Sequence, residues 1–495
     1  MGQNINRTEF SREDFSAFRD CLSTSLKAFQ KLLDQPGFGE GPPSYGSELE
    51  LYLIDQFARP NPINERVLEK ARDESLTLEL NRFNLEYNFT PLIDESTPFS
   101  MMTRQMHIAL DGLTDIAAGE GARVLPIGIL PTLKKSDMGR DAITDVERFH
   151  VLARALKQKR GENFKIDIRG IESVDLEWGD VSFEGANTSF QFHYRVSPRE
   201  FANSYNAAQL TTPLALALGA NSPFFLGHRL WRETRIALFK QSIDYRLDDD
   251  LSKHLPARVL FGLGWVRQGI HELFAEGAYL FEPLMPINSG VNPLSELERG
   301  SVPELSELRL HQGSIWTWNR PIYDPTDNGH LRIEFRALPA GPTPTNMAAS
   351  AALMSGWMKG LAPYMPQLLP AIPFRYAEQN FYRAAKYGID ALLFWPNKKR
   401  GQLEERPVTD IVLEILPYAE AGLSQLNIDQ LEIEKQLGIV RASLETKTNG
   451  ARWQLEMFEK LCAQTDHDTA LAELVERYYA QYKRKQPVHE WSLNV

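Results

Sequence analysis

Cysteine is scarce: Cys21 and Cys462 are the only two in 495 residues, and they stand near opposite ends of the chain. That excludes a disulfide framework and most thiolate metal sites, and it fits a reducing compartment. Long apolar runs are missing too, since no stretch approaches the ~18 or more uninterrupted apolar residues of a membrane helix. The opening MGQNINRTEFSREDF has no signal-peptide apolar core, so a soluble, cytoplasmic protein is expected. Basic charge is not in excess. With 65 acidic against 54 basic residues the formal charge is -11, which argues against nucleic acid or an anionic membrane as partner but not against small anionic substrates. There is no GxxxxGK[ST] loop and no GxGxxG fingerprint, so neither a Walker-type nor a Rossmann site supplies a nucleotide pocket. Internal repeats and low-complexity tracts are likewise missing.

What is present is a recurrent alternation. In SELELYLI, Leu49, Leu51 and Leu53 share one face of a strand while Glu48, Glu50 and Tyr52 share the other. LTLEL sets Glu79 opposite Leu76, Leu78 and Leu80, and FNLEYNFT sets Asn84, Glu86 and Asn88 opposite Phe83, Leu85, Tyr87 and Phe89. FQFHYRV opposes Gln191, His193 and Arg195 to its aromatics, and LRIEFRAL opposes Arg332, Glu334 and Arg336 to Leu331, Ile333 and Phe335. Any one such segment is most simply the wet face of an antiparallel strand. Glutamate is depleted in strands, however, so its recurrence at strand centres needs a compensating gain. If the strands pair, the carboxylates converge, and their repulsion must be relieved by protons or cations.

Helical spacing covers 8–34 (Phe15, Phe18, Leu22, Leu26, Phe29, Leu33), about 99–118, and 203–219. VLPIGILP at 124–131 reads as a buried strand. Asn221-Ser222-Pro223 resembles a cap and first-turn proline opening a helix through Arg235. Segments 187–196, 307–320 and 330–338 read as strands, and from about 345 the chain turns mostly helical. Strands and helices without regular succession imply an α+β fold: a curved, mainly antiparallel sheet flanked by helices, with a helical C-terminal extension.

Hard oxygen ligands with one imidazole suit Mg²⁺ or Mn²⁺. Arginines beside them on the same face are what phosphoryl transfer needs, because guanidinium groups stabilise developing charge. In order and in motifs the chain resembles the type 2 glutamate–cysteine ligases and the related bacterial carboxylate–amine ligases. The resemblance rests on GSELELYLID, LELNRFNLEYNFTP, SFQFHYRV, NSPFFLGHRLWRETR, LRIEFRALPAGPT and ENFYRAAKYGIDA, and covers roughly residues 45–420. It implies a glutamine-synthetase-like catalytic sheet; with the helical patterns, the expected organisation is a helical segment (1–40), a catalytic α+β domain (41–375) and a helical region (376–495) packed on it. It further implies an ATP-dependent ligase joining the γ-carboxylate of glutamate to an amine, most simply cysteine. Carried over by motif, Glu48, Glu50, Glu79, Glu86, His193 and Glu334 are the candidate metal ligands and Arg336 a phosphate or acyl-phosphate contact. Many relatives carry His-x-His on the fourth strand, and Gln191 stands here in place of the first His.

Arg332 and Arg320 are further candidates for neutralising charge in catalysis, Arg320 fitting a surface salt bridge equally well. Arg235 and Asn221 are candidate substrate-binding residues, with a structural role as the alternative. Trp316 and Trp318 read as core. Asn380 and Arg383 fit either the site or helix packing, and the isolated His254, His271, His311 and His330 are assigned no role. The same sheet would also serve a phosphotransferase acting on a carboxylate or guanidino group without ligation. A nucleotide- or metal-binding relative without turnover is the non-enzymatic alternative, suggested by Gln191.

Overall fold

The computed structural model describes residues 10–397 and 400–494. Residues 8 and 9 of the expected first helix, and the first nine residues of the stretch read for a targeting signal, lie outside the described residues. Helix α1 (Arg12–Leu33) begins at a capping box, in which Ser11 Oγ accepts from Asp14 N and the Asp14 carboxylate accepts from Ser11 N. Phe18, Leu22, Leu26 and Phe29 of the predicted stripe are buried, while Phe15 and Leu33 at its ends are half-buried.

Seven strands form the central sheet: β1 (Ser44–Ile54), β2 (Leu76–Leu78), β3 (Asn84–Ile93), β4 (Arg123–Leu125), β5 (Phe190–Arg195), β6 (Asn319–Asp324) and β7 (His330–Phe335). Their order is β6-β7-β5-β1-β3-β2, and every pairing is antiparallel. β5 lies along the first half of β1 and β4 along its last three residues, so the sheet splits at that edge. The expected antiparallel α+β architecture is therefore what the chain adopts.

Helices α2 (Pro98–Gly119), α3 (Phe201–Gly219), α4 (Arg235–Ser242), α5 (Pro344–Leu361), α6 (Phe374–Tyr387), α7 (Val408–Gln425), α8 (Gln430–Thr446), α9 (Gly450–Cys462) and α10 (His467–Tyr482) complete the framework used below. α2 meets the apolar face of the sheet where Phe99 packs edge-on against Tyr45 of β1, and α5 meets it where Met347 and Leu353 approach Phe190. Leu49, Leu51, Leu53, Phe190, Phe192, Leu331, Ile333 and Phe335 are all fully buried there. Each such side chain contributes on the order of 1.5–3 kcal/mol. That burial also fixes the register: a slip of one residue would turn these side chains outward and drive the glutamates into the core. α5 is buried on almost every side, and its backbone touches that of α7. A Cβ on Gly360 would lie 1.9 Å from the Tyr418 carbonyl oxygen. Among the described residues no helix is long and apolar enough to cross a membrane.

Three expectations are corrected. Residues 221–234 do not open a helix. A short hairpin, Phe224–Phe225 against His228–Arg229, turns at Leu226 and Gly227, both with positive φ, and α4 begins only at Arg235. The Pro223 carbonyl is consumed by Leu230 N at 2.9 Å rather than by a helical turn. In 124–131 the ladder stops at Leu125, because Pro126 has no N–H to donate, although the segment stays buried. Residues 306–312 form a helix whose buried Glu307, Leu308, His311 and Gln312 recur at helical spacing, and strand structure resumes at Trp316. The C-terminal region is mostly helical as expected, with one hairpin, Leu392–Asn397 against Gln402–Pro407.

Candidate active site

The polar face of the sheet becomes a site through its register. Glu48 and Glu50 are two apart on β1 and so point the same way. Glu50 lies opposite Glu86 on β3, while Glu48 lies opposite Gln191 on β5. One strand over, His193 lies opposite Glu334 of β7. Glu79 enters from just beyond β2, where its own carboxylate accepts from Leu80 N at 3.2 Å. Two triads result, Glu48/His193/Glu334 and Glu50/Glu79/Glu86, and within each the ligand atoms all lie within 4.8 Å of one another.

The two triads differ in charge balance. Glu334 is 0 % exposed and accepts from Arg320 Nη2 at 2.9 Å, from Arg320 Nε, and from Arg336 Nη1 at 2.8 Å. Burial works against its charge, but Arg320, Arg336 and His193 outweigh that and hold its carboxyl far below the ordinary range. Burial also opposes the charge on Glu48, yet His193 holds its carboxyl down. In the second triad no guanidinium or ammonium group forms an ion pair with any of the three carboxylates, among the described residues. Burial first, then repulsion from Glu79, pushes Glu50 up to about 7 against the pull of Arg235 and Arg336. Burial raises Glu79, and burial with repulsion from Glu48, Glu79 and Glu50 raises Glu86 well above its usual value.

These residues fit divalent cations on two counts. Three converging carboxylates without a cationic partner form an all-oxygen donor set that a hard cation satisfies. In the other triad His193 Nε2 is 3.1 Å from Glu48 Oε1 and 3.8 Å from Glu334 Oε1, yet neither buried ring nitrogen completes a hydrogen bond. An imidazole that faces two carboxylates without a well-aligned hydrogen bond to either is a ready ligand. Glu50 is aimed by donors: Ser189 N to Oε2 at 2.6 Å, Ser189 Oγ to Oε1 at 2.9 Å and Gln191 Nε2 to Oε1 at 2.9 Å. Glu86 is likewise held by Asn88 Nδ2 at 2.8 Å.

Of the arginines singled out by sequence, Arg336 sits between the triads, donating to Glu334 and to Gln191 Oε1, and Arg320 is bidentate on Glu334. Arg332 lies two residues before Glu334 on β7 and pairs with Asp324 at 3.2 Å rather than with a triad carboxylate, among the described residues. Asn221 is not brought to this face. It is 0 % exposed, its Nδ2 donates to Ala340 O and Tyr478 Oη at 2.8 Å each, and its Oδ1 accepts from Gln454 Nε2 at 2.8 Å. Arg235, 3 % exposed, donates to Glu233 Oε1 and Ala337 O at 3.1 Å and acts on Glu50 only as a buried charge beneath it. Neither has a surface to offer a substrate. Trp318 packs in the core against Phe239 and Phe381, and Asn380 bonds both backbone groups of Phe394.

Sequence reasoning missed Glu184, on the turn before β5. Burial, then repulsion from Glu79 and Glu50, pushes its carboxyl up to about 8. Its turn lies outside every alternating segment, and its only linear signal is an acid directly before Gly185. Arg148, which draws Glu79 down, and Ser189, which aims Glu50, were missed as well.

The model of glutamate–cysteine ligase family 2 matches residues 44–258, a span carrying Glu48, Glu50, Glu79, Glu86, Glu184 and His193, with Glu334 and Arg336 beyond it. The resemblance drawn from the motifs thus holds over the first five strands. Among solved structures, a glutamate–cysteine ligase from Francisella tularensis in complex with AMP is 12% identical. It aligns over 92% of this chain and 91% of its own with a TM-score of 0.54, a likeness of fold. A bifunctional glutathione synthetase from Pasteurella multocida, 12% identical over 95% of this chain and 55% of its own, has a TM-score of 0.44, too low to carry an argument. No curated protein sequence matches.

Proposed function

With residues 44–258 matching the model of glutamate–cysteine ligase family 2, we propose that the chain is an ATP-dependent carboxylate–amine ligase. It joins the γ-carboxylate of glutamate to an amine, cysteine being the simplest, through an acyl phosphate. The observation that carries this reading is the pair of carboxylate triads on one sheet face with Arg336 between them. Glu48, His193 and Glu334 would hold one divalent cation, Mg²⁺ or Mn²⁺, and Glu50, Glu79 and Glu86 another. Such ions supply neutralisation of the triphosphate and of the charge that develops on transfer.

The chain's own groups do the rest. Arg336 uses only Nη1 on Glu334 and Gln191, among the described residues, so Nε and Nη2 keep N–H donors for a phosphoryl oxygen. Its position is fixed beforehand by those two bonds, so it need not reorganise as charge develops. Arg320 keeps Glu334 ionised and oriented. An oxygen of the γ-carboxylate attacks the γ-phosphorus, the bond to the β–γ bridging oxygen breaks, and ADP leaves. The neutral amine then attacks the acyl carbon, the C–O bond to phosphate breaks, the extra proton on nitrogen passes to the departing phosphate, and an amide and inorganic phosphate result.

The test is a phosphate-release screen with ATP and Mg²⁺, glutamate fixed as the acid and the amine varied. Release of ADP and phosphate that requires both acid and amine supports the reading. ADP formed together with a stable phosphorylated product would instead favour a phosphotransferase, and silence with every amine would count against ligation.

A further inference from the structure

Resting on the ligase reading, we propose that Gln191 is a positioning residue that couples the two triads by tying Arg336 to Glu50. Gln191 is 2 % exposed and points from β5 onto the polar face, opposite Glu48. Its Nε2 donates to Glu50 Oε1 at 2.9 Å and its Oε1 accepts from Arg336 Nη1. The amide can sit only one way round, because the Arg336 guanidinium only donates and so must meet the amide oxygen. The same Nη1 donates to Glu334 Oε1 at 2.8 Å. An unbroken run Glu50–Gln191–Arg336–Glu334 therefore links a member of the second triad to a member of the first.

A neutral group with one donor and one acceptor is what this position requires. A carboxylate at 191 would add another negative charge beside Glu50, whose burial and acidic neighbours already disfavour its ionised form. An apolar side chain would leave an Arg336 N–H without its acceptor and take from Glu50 Oε1 one of its two donors, Ser189 Oγ remaining. Histidine meets the requirement, since neutral imidazole also offers one donor and one acceptor. Groups that orient a ligating carboxylate typically change metal affinity or activity about 10–100-fold when lost.

The experiment measures Mn²⁺ binding to the full chain without nucleotide, by the electron paramagnetic resonance of free Mn²⁺, for wild type, Q191M, Q191N and Q191H. Steady-state kinetics run alongside. Methionine keeps the volume and loses both bonds; asparagine keeps the amide but falls short of both partners, and serves if Q191M does not fold. Weakening of Mn²⁺ binding by about 10–100-fold in either variant, with kcat falling more than KM for glutamate rises and with recovery in Q191H, is the expected result. A folded Q191M or Q191N that binds Mn²⁺ like wild type overturns the role of Gln191 alone. A wild type that binds no Mn²⁺ and releases no phosphate overturns the ligase reading as well.

Discussion

Replacing Glu334 by Gln tests whether the first triad is the electrostatic anchor of the sheet. The carboxylate is fully buried and receives two N–H groups from Arg320 and one from Arg336, with His193 nearby. Glutamine keeps the volume but turns one oxygen into an NH₂ that faces guanidinium donors, and it removes the charge that compensates two arginines. Breaking a buried ion pair from one side costs about 3–5 kcal/mol. At about 1.4 kcal/mol per tenfold, the unfolding constant of the metal-free protein should rise by roughly a hundred- to several-thousand-fold. Urea denaturation in EDTA, followed by tryptophan fluorescence, reads this directly. R320M should also destabilise, and the double variant should fall short of the sum by about 0.5–3 kcal/mol, since the two side chains are in contact. An E334Q protein within about 0.5 kcal/mol of wild type, the range of ordinary surface substitutions, or a strictly additive double variant, would refute this reasoning.

Other outcomes follow from the same geometry. Glu50 and Glu184 are pushed up to about 7 and about 8, so over the window from about 5 to 8 the metal-free native state keeps protons that the unfolded chain has released. Stability in EDTA should therefore fall as pH rises through that window, and Mg²⁺ should raise the melting temperature more at pH 8 than at pH 6; a flat or rising metal-free profile would contradict it. R336M should lower kcat by about 10²–10³, the range for loss of a preorganised donor, with a smaller change in KM for glutamate; a raised KM with kcat unchanged would point to ground-state binding. Asn221→Ala should cost about 1–3 kcal/mol for the buried Ala340 carbonyl left without a donor, since Tyr478 Oη keeps Pro126 O and Gln454 Nε2 keeps the Asn221 carbonyl, while KM for glutamate stays at the wild-type value. A raised KM without loss of stability would return Asn221 to the substrate.

The alternation made the sheet legible. A period of two over Leu49, Leu51 and Leu53 assigns Glu48 and Glu50 to one face whatever the neighbours, and the same holds for His193 and Glu334. Which glutamates meet depends on register, as in Glu50 opposite Glu86, and that is set by long-range apolar packing rather than by anything local. Asn221 was misread because Asn-Ser-Pro has the residues of a helix start. The Leu226-Gly227 turn and the bonds from Asn221 N and Ser222 Oγ to Glu233 take the backbone elsewhere. Glu184 was invisible because a turn has no periodicity to betray it. Gln191 was seen only as a missing histidine, since its meaning lies in two partners from other strands.

The most direct measurement follows oxygen. Glutamate labelled with ¹⁸O in its γ-carboxylate is incubated with the protein, ATP, Mg²⁺ and the amine that supports turnover, and the released phosphate is examined by ³¹P NMR. Transfer of one ¹⁸O into phosphate per amide formed is expected, because the attacking carboxylate oxygen leaves with the phosphoryl group. Amide formation with unlabelled phosphate would contradict the acyl-phosphate route.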